Sequence, residues 1–280
     1  MFERATLKEN IIKIHPAAVV AEEAEVGDSV EIGPYSIIGP DVRIGAGTRI
    51  GSHVVIDGHT TIGERCSIFH GACLGMPSQD KKAKDIKNSC LIIGNDNLIR
   101  ENVTINLGTY EGSKTVLGDR NFIMIGSHIA HDCQLGNGIV LANGSMMGGH
   151  VTVEDGGVIG GASAIHQFVR IGKFAMIGGV SRVVMDIPPF SLCDGRPARF
   201  YGINSVGLRR AGYSSEDRTR IKNAYKILFM RGLRLAAALE ELKKQFRGSR
   251  DIEHLVSFME HSKRGVCRPR GGRKAEDVVE

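Results

Sequence analysis

Four histidines, His128, His131, His150 and His166, fall within 39 residues of a 280-residue chain that carries only six others. Imidazole is the side chain best suited to accept a proton near neutral pH, so such a cluster points to general-base catalysis on a weak nucleophile such as a hydroxyl. His131 stands two places after Ile129 and His150 three places after Met147, two members of an aliphatic series that returns every sixth position. That spacing puts both imidazoles on neighbouring rungs near one edge of whatever the series builds. One histidine at such an edge is an ordinary solvated turn residue; four in adjacent rungs make a candidate site.

The series dictates the scaffold. It runs without interruption from Ile14 through Val20, Val26, Ile32 and on to Leu74, resumes at Ile93, Ile99 and Ile105, and runs again from Leu117 to Val183. Four residues after each anchor sits a smaller side chain, as at Val30, Ser36, Val42, Thr48, Val54 and Cys66. A period of six fits neither a helix nor a plain strand; it belongs to an all-β solenoid in which each hexad makes one short face and a turn, and three faces close a coil. Composition agrees, with 36 Gly, no Trp and only 5% aromatic residues, because a narrow triangular core has no room for large rings.

The expected β-helix covers residues 1–189 and carries two extruded loops, near 76–89 and 107–116, where anchors are missing and charge, Gly and Ser accumulate. A loop carried out of a repeat stack is usually placed at a site. After Pro188 and Pro189 the pattern changes to helical. Ser214 with Asp217 resembles an N-terminal cap for a helix reaching about Met230; Leu235, Leu239 and Leu242 lie on one face of a second, and Ile252, Leu255, Val256 and Met259 fit a third. These define a small α-helical C-terminal domain over 190–262, followed by a basic tail, 263–280, expected to be disordered.

With Lys+Arg at 36 against Asp+Glu at 31, the net charge of +5 is too small and dispersed to suggest nucleic acid. The six cysteines show no metal-type spacing and read as reduced, mostly structural residues. Neither a signal peptide nor a long apolar run is evident, so a cytoplasmic protein with no membrane insertion is expected.

Several stretches together are more specific than the hexads. IGSHIAHDCQLGN (125–137), GGHVTV (148–153), GGASAIHQF (160–168), the loop dipeptide Gln79-Asp80 and INSVGLRRAGY (203–213) resemble the UDP-N-acetylglucosamine O-acyltransferases that begin lipid A synthesis, over nearly the whole chain. The resemblance implies a left-handed β-helix, against the right-handed crossover rule, and a cyclic homotrimer with clefts between subunits. It implies His131 as general base and the Gly149 backbone N–H as oxyanion donor. Gln79, Asp80 and Lys82 would hold the sugar and its phosphates, with His128, His150, His166 and Gln167 lining the cleft and Asn204 and Arg210 contacting the nucleotide. Gly179 would gate the acyl groove. Substrates would be UDP-N-acetylglucosamine and a 3-hydroxyacyl group on acyl carrier protein, the latter received by Arg209, Arg210, Arg218, Arg220 and Lys222; no cofactor or metal is required. Asn106, Val206 and Ala211 depart from the family pattern, which has a His, an acidic and a basic residue there. Two alternatives share the fold: acylation of a 3-amino sugar nucleotide, and a zinc carbonic anhydrase with histidines from two subunits.

Overall fold

The computed structural model describes residues 12–81, 83 and 88–270. Each hexad forms a short strand and a turn, and in uninterrupted coils every strand stacks in parallel on the one eighteen residues away: Ile14 lies beside Ile32, Ile32 beside Ile50 and Ile50 beside Ile68. Sheets of eleven, nine and eight strands result. They form the first, second and third faces of a triangular prism, visited in that order in every coil.

The anchors and the small residues that follow them fill the prism. Ile38, Ile56, Ile62, Leu74, Ile99 and Ile105 are buried together with Val30, Val42, Val54, Cys66 and Ala72, and each buried aliphatic side chain contributes about 1.5–3 kcal/mol. Hydroxyls that take an inward slot are satisfied by the neighbouring coil. Ser36 Oγ donates to the Gly51 carbonyl at 2.8 Å and accepts from the Val54 amide at 3.1 Å; Thr48 does the same with Gly63 and Cys66. The open end of the stack is the exception, with Ile14 still 44% exposed.

Along the edge between the third and first faces runs a polar ladder. Asn95 Oδ1 accepts from the Glu64 amide, Asp119 Oδ1 from Asn95, Asn137 Oδ1 from Asp119 and Asp155 Oδ1 from Asn137, at 2.7–2.8 Å.

Both chain excursions leave the prism at a different edge, between the second and third faces. One separates the strands Cys73–Met76 and Cys90–Ile93, the other Thr104–Asn106 and Lys114–Leu117. The second is shorter than the sequence suggested. It ends at Ser113, because Thr115 and Leu117 already point inward and are fully buried.

The C-terminal part differs from expectation in three respects. An antiparallel hairpin, Ser191–Gly195 with Ala198–Ile203, precedes the helices and extends the first sheet by pairing with Met176–Ile177; it closes the rung that the last hexad leaves open. Four helices follow, not three: α1 (Ser205–Arg210), α2 (Ser215–Met230), α3 (Leu235–Gln245) and α4 (Arg250–Glu260). Ser214 and Asp217 form a reciprocal capping box at the start of α2. The tail, expected to be disordered from 263, packs over its first residues: Val266 and Cys267 are buried, and Val266 bridges to Asp186. Cys267 Sγ donates to the Ala198 carbonyl of the hairpin at 3.2 Å, and Phe200 of the same hairpin stacks on Tyr225 of α2 at 4.7 Å. The remainder of the tail, 271–280, lies outside the described residues. Helix α4 is fastened to the prism by Arg170 over the Phe258 ring at 4.1 Å and by His254 Nε2 against Glu154 Oε2 at 2.7 Å. Among the described residues no helix is long and apolar enough to cross a membrane.

Candidate active site

The edge that emits both loops also carries the histidine cluster. Three successive turns cross from the second to the third face after Ile129, Met147 and Ile165, which lie side by side in the second sheet. His131, Gly149 and Gln167 therefore stand one above another, about 4.8 Å apart along the axis.

His131 is not the outward, solvated side chain that its turn position suggests; it is only 8% exposed. Its Nδ1 lies 2.8 Å from Asp132 Oδ2. The Thr109 amide donates to both carboxylate oxygens of Asp132, at 3.3 and 3.2 Å, and the Asp132 amide donates to Thr115 Oγ1 at 2.8 Å. Burial pushes the Asp132 carboxyl up, but hydrogen bonds from His131, Ser113 and Thr109 outweigh it and hold the group below the usual carboxylate range. An ionised carboxylate can only accept, so Nδ1 of His131 is the donor and, in the neutral ring, Nε2 is the nitrogen that carries the lone pair. The ring lies against Gly149, where a Cβ would come within 2.5 Å of Nε2. Only glycine leaves room for this imidazole. No acceptor among the described residues is paired with the Gly149 N–H.

His150 meets His131 edge-on at 5.2 Å between centroids and stacks on Phe168 at 4.6 Å, nearly parallel. Its Nε2 is 3.6 Å from Asp132 Oδ2. His128, on the second face, is bonded through Nδ1 to Thr104 Oγ1 at 2.7 Å. Burial first, and the nearby His131 second, pull its pKa below the ordinary histidine value, so it is neutral at pH 7. His166 and Gln167 are exposed on the same edge. Cys133, although next to Asp132, is no nucleophile: burial pushes its thiol up to about 12, and Sγ donates to the Gly148 carbonyl at 3.3 Å.

The first loop is tied to the same edge. Ser78 Oγ lies 2.7 Å from Thr109 Oγ1 and accepts from the Asp80 amide at 3.2 Å, with Gln79 exposed between them. Lys82 lies outside the described residues. Asn106, which replaces a histidine of the family pattern, donates through Nδ2 to the Pro77 carbonyl at 2.9 Å and to Met76 at 3.3 Å, fastening the loop where it leaves the prism.

Other predicted site residues stand elsewhere in the chain. Asn204 caps α1 by accepting from Gly207 N and donates to the Phe174 carbonyl, both at 2.9 Å, beside the edge between the third and first faces. Arg210 is exposed at the end of α1, Val206 is half-exposed on it and Ala211 is its C-cap. Gly179 lies on the remaining edge, between the first and second faces, where a Cβ would meet only the Gly161 backbone at 3.4 Å. Within one chain the candidate residues thus divide among all three edges.

Sequence reasoning assigned no role to Asp132, Thr109, Ser78 or Phe168. Asp132 had a signal, a carboxylate directly after the candidate base in HIAHDC; the two hydroxyls had none, because their contact joins separate loops. His131, Asp132 and His150 are also the only described group of three donor residues close enough to hold a cation, with ligand atoms within 4.8 Å. The Nδ1 and Oδ2 atoms are already spent on each other, and Thr109 occupies both carboxylate oxygens, so the set fits a hydrogen-bonded dyad better than a coordination sphere.

Comparison with known proteins agrees with this fold. Residues 186–267 match the family described as Udp N-acetylglucosamine O-acyltransferase, Domain 2; residues 114–149 match the bacterial transferase hexapeptide (six repeats), and residues 14–121 the GMPPB C-terminal domain. The acyl-[acyl-carrier-protein]–UDP-N-acetylglucosamine O-acyltransferase of Burkholderia orbicola is 47% identical over 91% of this chain and 99% of its own. Among solved structures, the UDP-N-acetylglucosamine acyltransferase of Francisella novicida is 37% identical with a TM-score of 0.89, covering 92% of this chain and 95% of that one. That of Arabidopsis is 35% identical with a TM-score of 0.80, covering 91% and 99%. With a histidine–aspartate dyad facing a glycine on a hexapeptide prism, and relatives matched over nearly their full length, the chain belongs to the UDP-N-acetylglucosamine O-acyltransferase family.

Proposed function

We propose that the protein transfers a 3-hydroxyacyl group from acyl carrier protein to the 3-hydroxyl of UDP-N-acetylglucosamine, the first step of lipid A synthesis, in the cytoplasm. The observation that carries this is His131 held by Asp132, with Nε2 over Gly149 and without a partner among the described residues. Nε2 takes the proton of the sugar hydroxyl as its oxygen bonds to the thioester carbonyl carbon. The carbonyl oxygen becomes an oxyanion and is received by the Gly149 N–H. Collapse breaks the carbon–sulfur bond, and the imidazolium returns its proton to the departing sulfur. Proton removal by a positioned base supplies roughly 10²–10⁴ in rate, and one oxyanion donor about 10²–10³. Asp132 remains ionised and offsets the imidazolium charge, while neutral His128 adds no opposing positive charge nearby.

Gln79, Asp80 and Lys82 hold the sugar and its phosphates in this scheme, with His150, His166 and Gln167 completing the cleft. Arg210 suits a diphosphate, whereas the Asn204 side chain is already committed to capping α1. These residues and Gly179 stand on three edges of one prism, which supports a cyclic homotrimer in which neighbouring copies complete each site. The second face offers a surface for it: Val19, Ile37 and Met146 are exposed there. The β-helix is left-handed, supported by the likeness to solved relatives, and the helical C-terminal unit receives the acidic carrier protein on its arginines. Two of these are partly engaged, Arg218 with the Tyr213 carbonyl and Arg220 with Asp217.

The test is turnover of UDP-N-acetylglucosamine with a panel of 3-hydroxyacyl carrier proteins by the purified protein. Wild type is expected to prefer a long chain, about fourteen carbons by family analogy, and Gly179→Met to shift preference to shorter ones, at about 0.8 kcal/mol for each excluded methylene. No turnover with any donor would overturn the function; an unchanged preference in Gly179→Met would remove only the gate.

A further inference from the structure

A continuous line of contacts joins the first loop to His131. The Asp80 amide donates to Ser78 Oγ, Ser78 Oγ meets Thr109 Oγ1 at 2.7 Å, the Thr109 amide donates to both Asp132 oxygens, and Asp132 Oδ2 accepts from His131 Nδ1. Thr109 is the centre of this line. Its side chain is fully buried, so its hydroxyl needs partners; it meets Ser78 in the first loop and lies towards the Asp132 carboxylate. Its backbone amide meets the same carboxylate, which orients the base.

Local backbone geometry lets one residue serve both sides. Gly108 allows the second loop to fold back tightly, since a Cβ there would collide with Ser113 within 2.6 Å of its carbonyl oxygen. Ser113 Oγ accepts from the Tyr110 amide at 2.9 Å, and the Ser113 amide donates to the Tyr110 carbonyl at 2.9 Å. The tight turn presents the Thr109 amide to Asp132, and the contact from Ser78 bears on the same residue. Two side-chain contacts join the loops among the described residues, Asn88 Nδ2 with Glu111 Oε1 and Ser78 Oγ with Thr109 Oγ1, and only the second involves a residue bonded to Asp132.

We infer that Thr109 is a positioning residue that couples the acceptor loop to the base: its hydroxyl latches Ser78, and its amide sets Asp132 and therefore the His131 ring. The inference rests on the proposed acyl transfer and deepens it. A nucleotide sugar engaged by Gln79 and Asp80 pulls on Ser78, tightens the latch and fixes Asp132, so the base is best aligned when the acceptor is in place. An acyl donor arriving alone does not touch this line.

The test is a double-mutant cycle of Thr109→Val and Ser78→Ala, with Thr109→Ser as the conservative variant. Each single variant removes one partner of the same hydrogen bond and should lower kcat/KM for UDP-N-acetylglucosamine about threefold to tenfold, the size expected of one such bond. The KM for the acyl donor should not change. The double variant should be no worse than the weaker single one, and Thr109→Ser should behave as wild type. Multiplicative losses in the double variant, an equal rise in donor KM, or wild-type kinetics in Thr109→Val would each overturn the coupling. Melting temperatures of wild type and all four variants separate this from general loosening: a loss in Thr109→Val that Thr109→Ser shares, and that follows the melting temperature, counts against it. If wild type itself does not turn over UDP-N-acetylglucosamine, the acyl-transfer scheme falls and the coupling with it; if wild type turns over and the cycle is additive, only the coupling falls.

Discussion

Two edges of the same prism stack polar residues one coil apart and put them to opposite uses. Between the third and first faces, Asn95, Asp119, Asn137 and Asp155 each accept from an amide one coil below. Each Oδ1 is taken by an amide of the neighbouring coil, so the row ties the coils together. Between the second and third faces, His131 is met one coil further on by Gly149, which has no side chain to satisfy it, and the Nε2 lone pair is left open. Polar stacking alone therefore does not mark a site in a repeat protein. What marks it is a polar row interrupted by a glycine, beside loops that shield it from water.

The sharpest way to break this contrast is on the reactive edge. His131→Ala should lower kcat by at least about 10², within the range for a general base. Because the ring is buried and bonded to Asp132, its loss also costs stability, about 1–3 kcal/mol, a modest fall in melting temperature beside the kinetic loss. Gly149→Ala should be nearly as damaging, since the new methyl would enter the imidazole's space. If His131→Ala keeps more than about a tenth of wild-type turnover, proton abstraction belongs to another group. On the structural edge the signs reverse. Asn137→Ala removes the acceptor of the Asp119 amide and should cost about 1 kcal/mol, seen as a drop of a few degrees in melting temperature with kcat unchanged. A kinetic defect in that variant without a stability defect would erase the distinction between the edges.

The smallest expected effect is a pH dependence. His128 has its folded-state pKa lowered by burial and by His131, so the unfolded chain binds its proton more readily. The stability that its neutral form supports is complete above the ordinary histidine value, near 6.5, and is lost as pH falls through that value towards the depressed one. Melting temperatures between pH 7 and 5 should fall less in His128→Gln than in wild type. Parallel curves would mean that His128 is as easily protonated in the folded protein as in the unfolded one.

Most of the scaffold was legible because a period of six admits one architecture, and the inward slots of Val42, Val54 and Cys66 follow from counting in sixes. The hairpin 191–203 was hidden because Gly195 and Pro197 interrupt its alternation, and the packed tail because Val266 and Cys267 are two apolar residues in a basic run. At the site, His131 and Gly149 were visible as words of a family pattern. Their relation was not: the ring's burial depends on loops that have no period, and the Asp132 interactions depend on Thr109, brought there by one of those loops.

The loops have one more consequence. Ile105 and Ile129 are register partners although 24 residues separate them, and Ile62 and Ile93 are partners across 31. The surplus over eighteen is ejected sideways, and each strand that follows re-enters on the face it would have occupied anyway. In a three-sided prism this acts as conservation of angle. Removing a whole coil upstream of the loops would shorten the molecule without turning it, whereas removing a single hexad would rotate every upstream residue by about a third of a turn relative to the rest. Gln79 and His131 share an edge because the excursion between them adds length but no rotation.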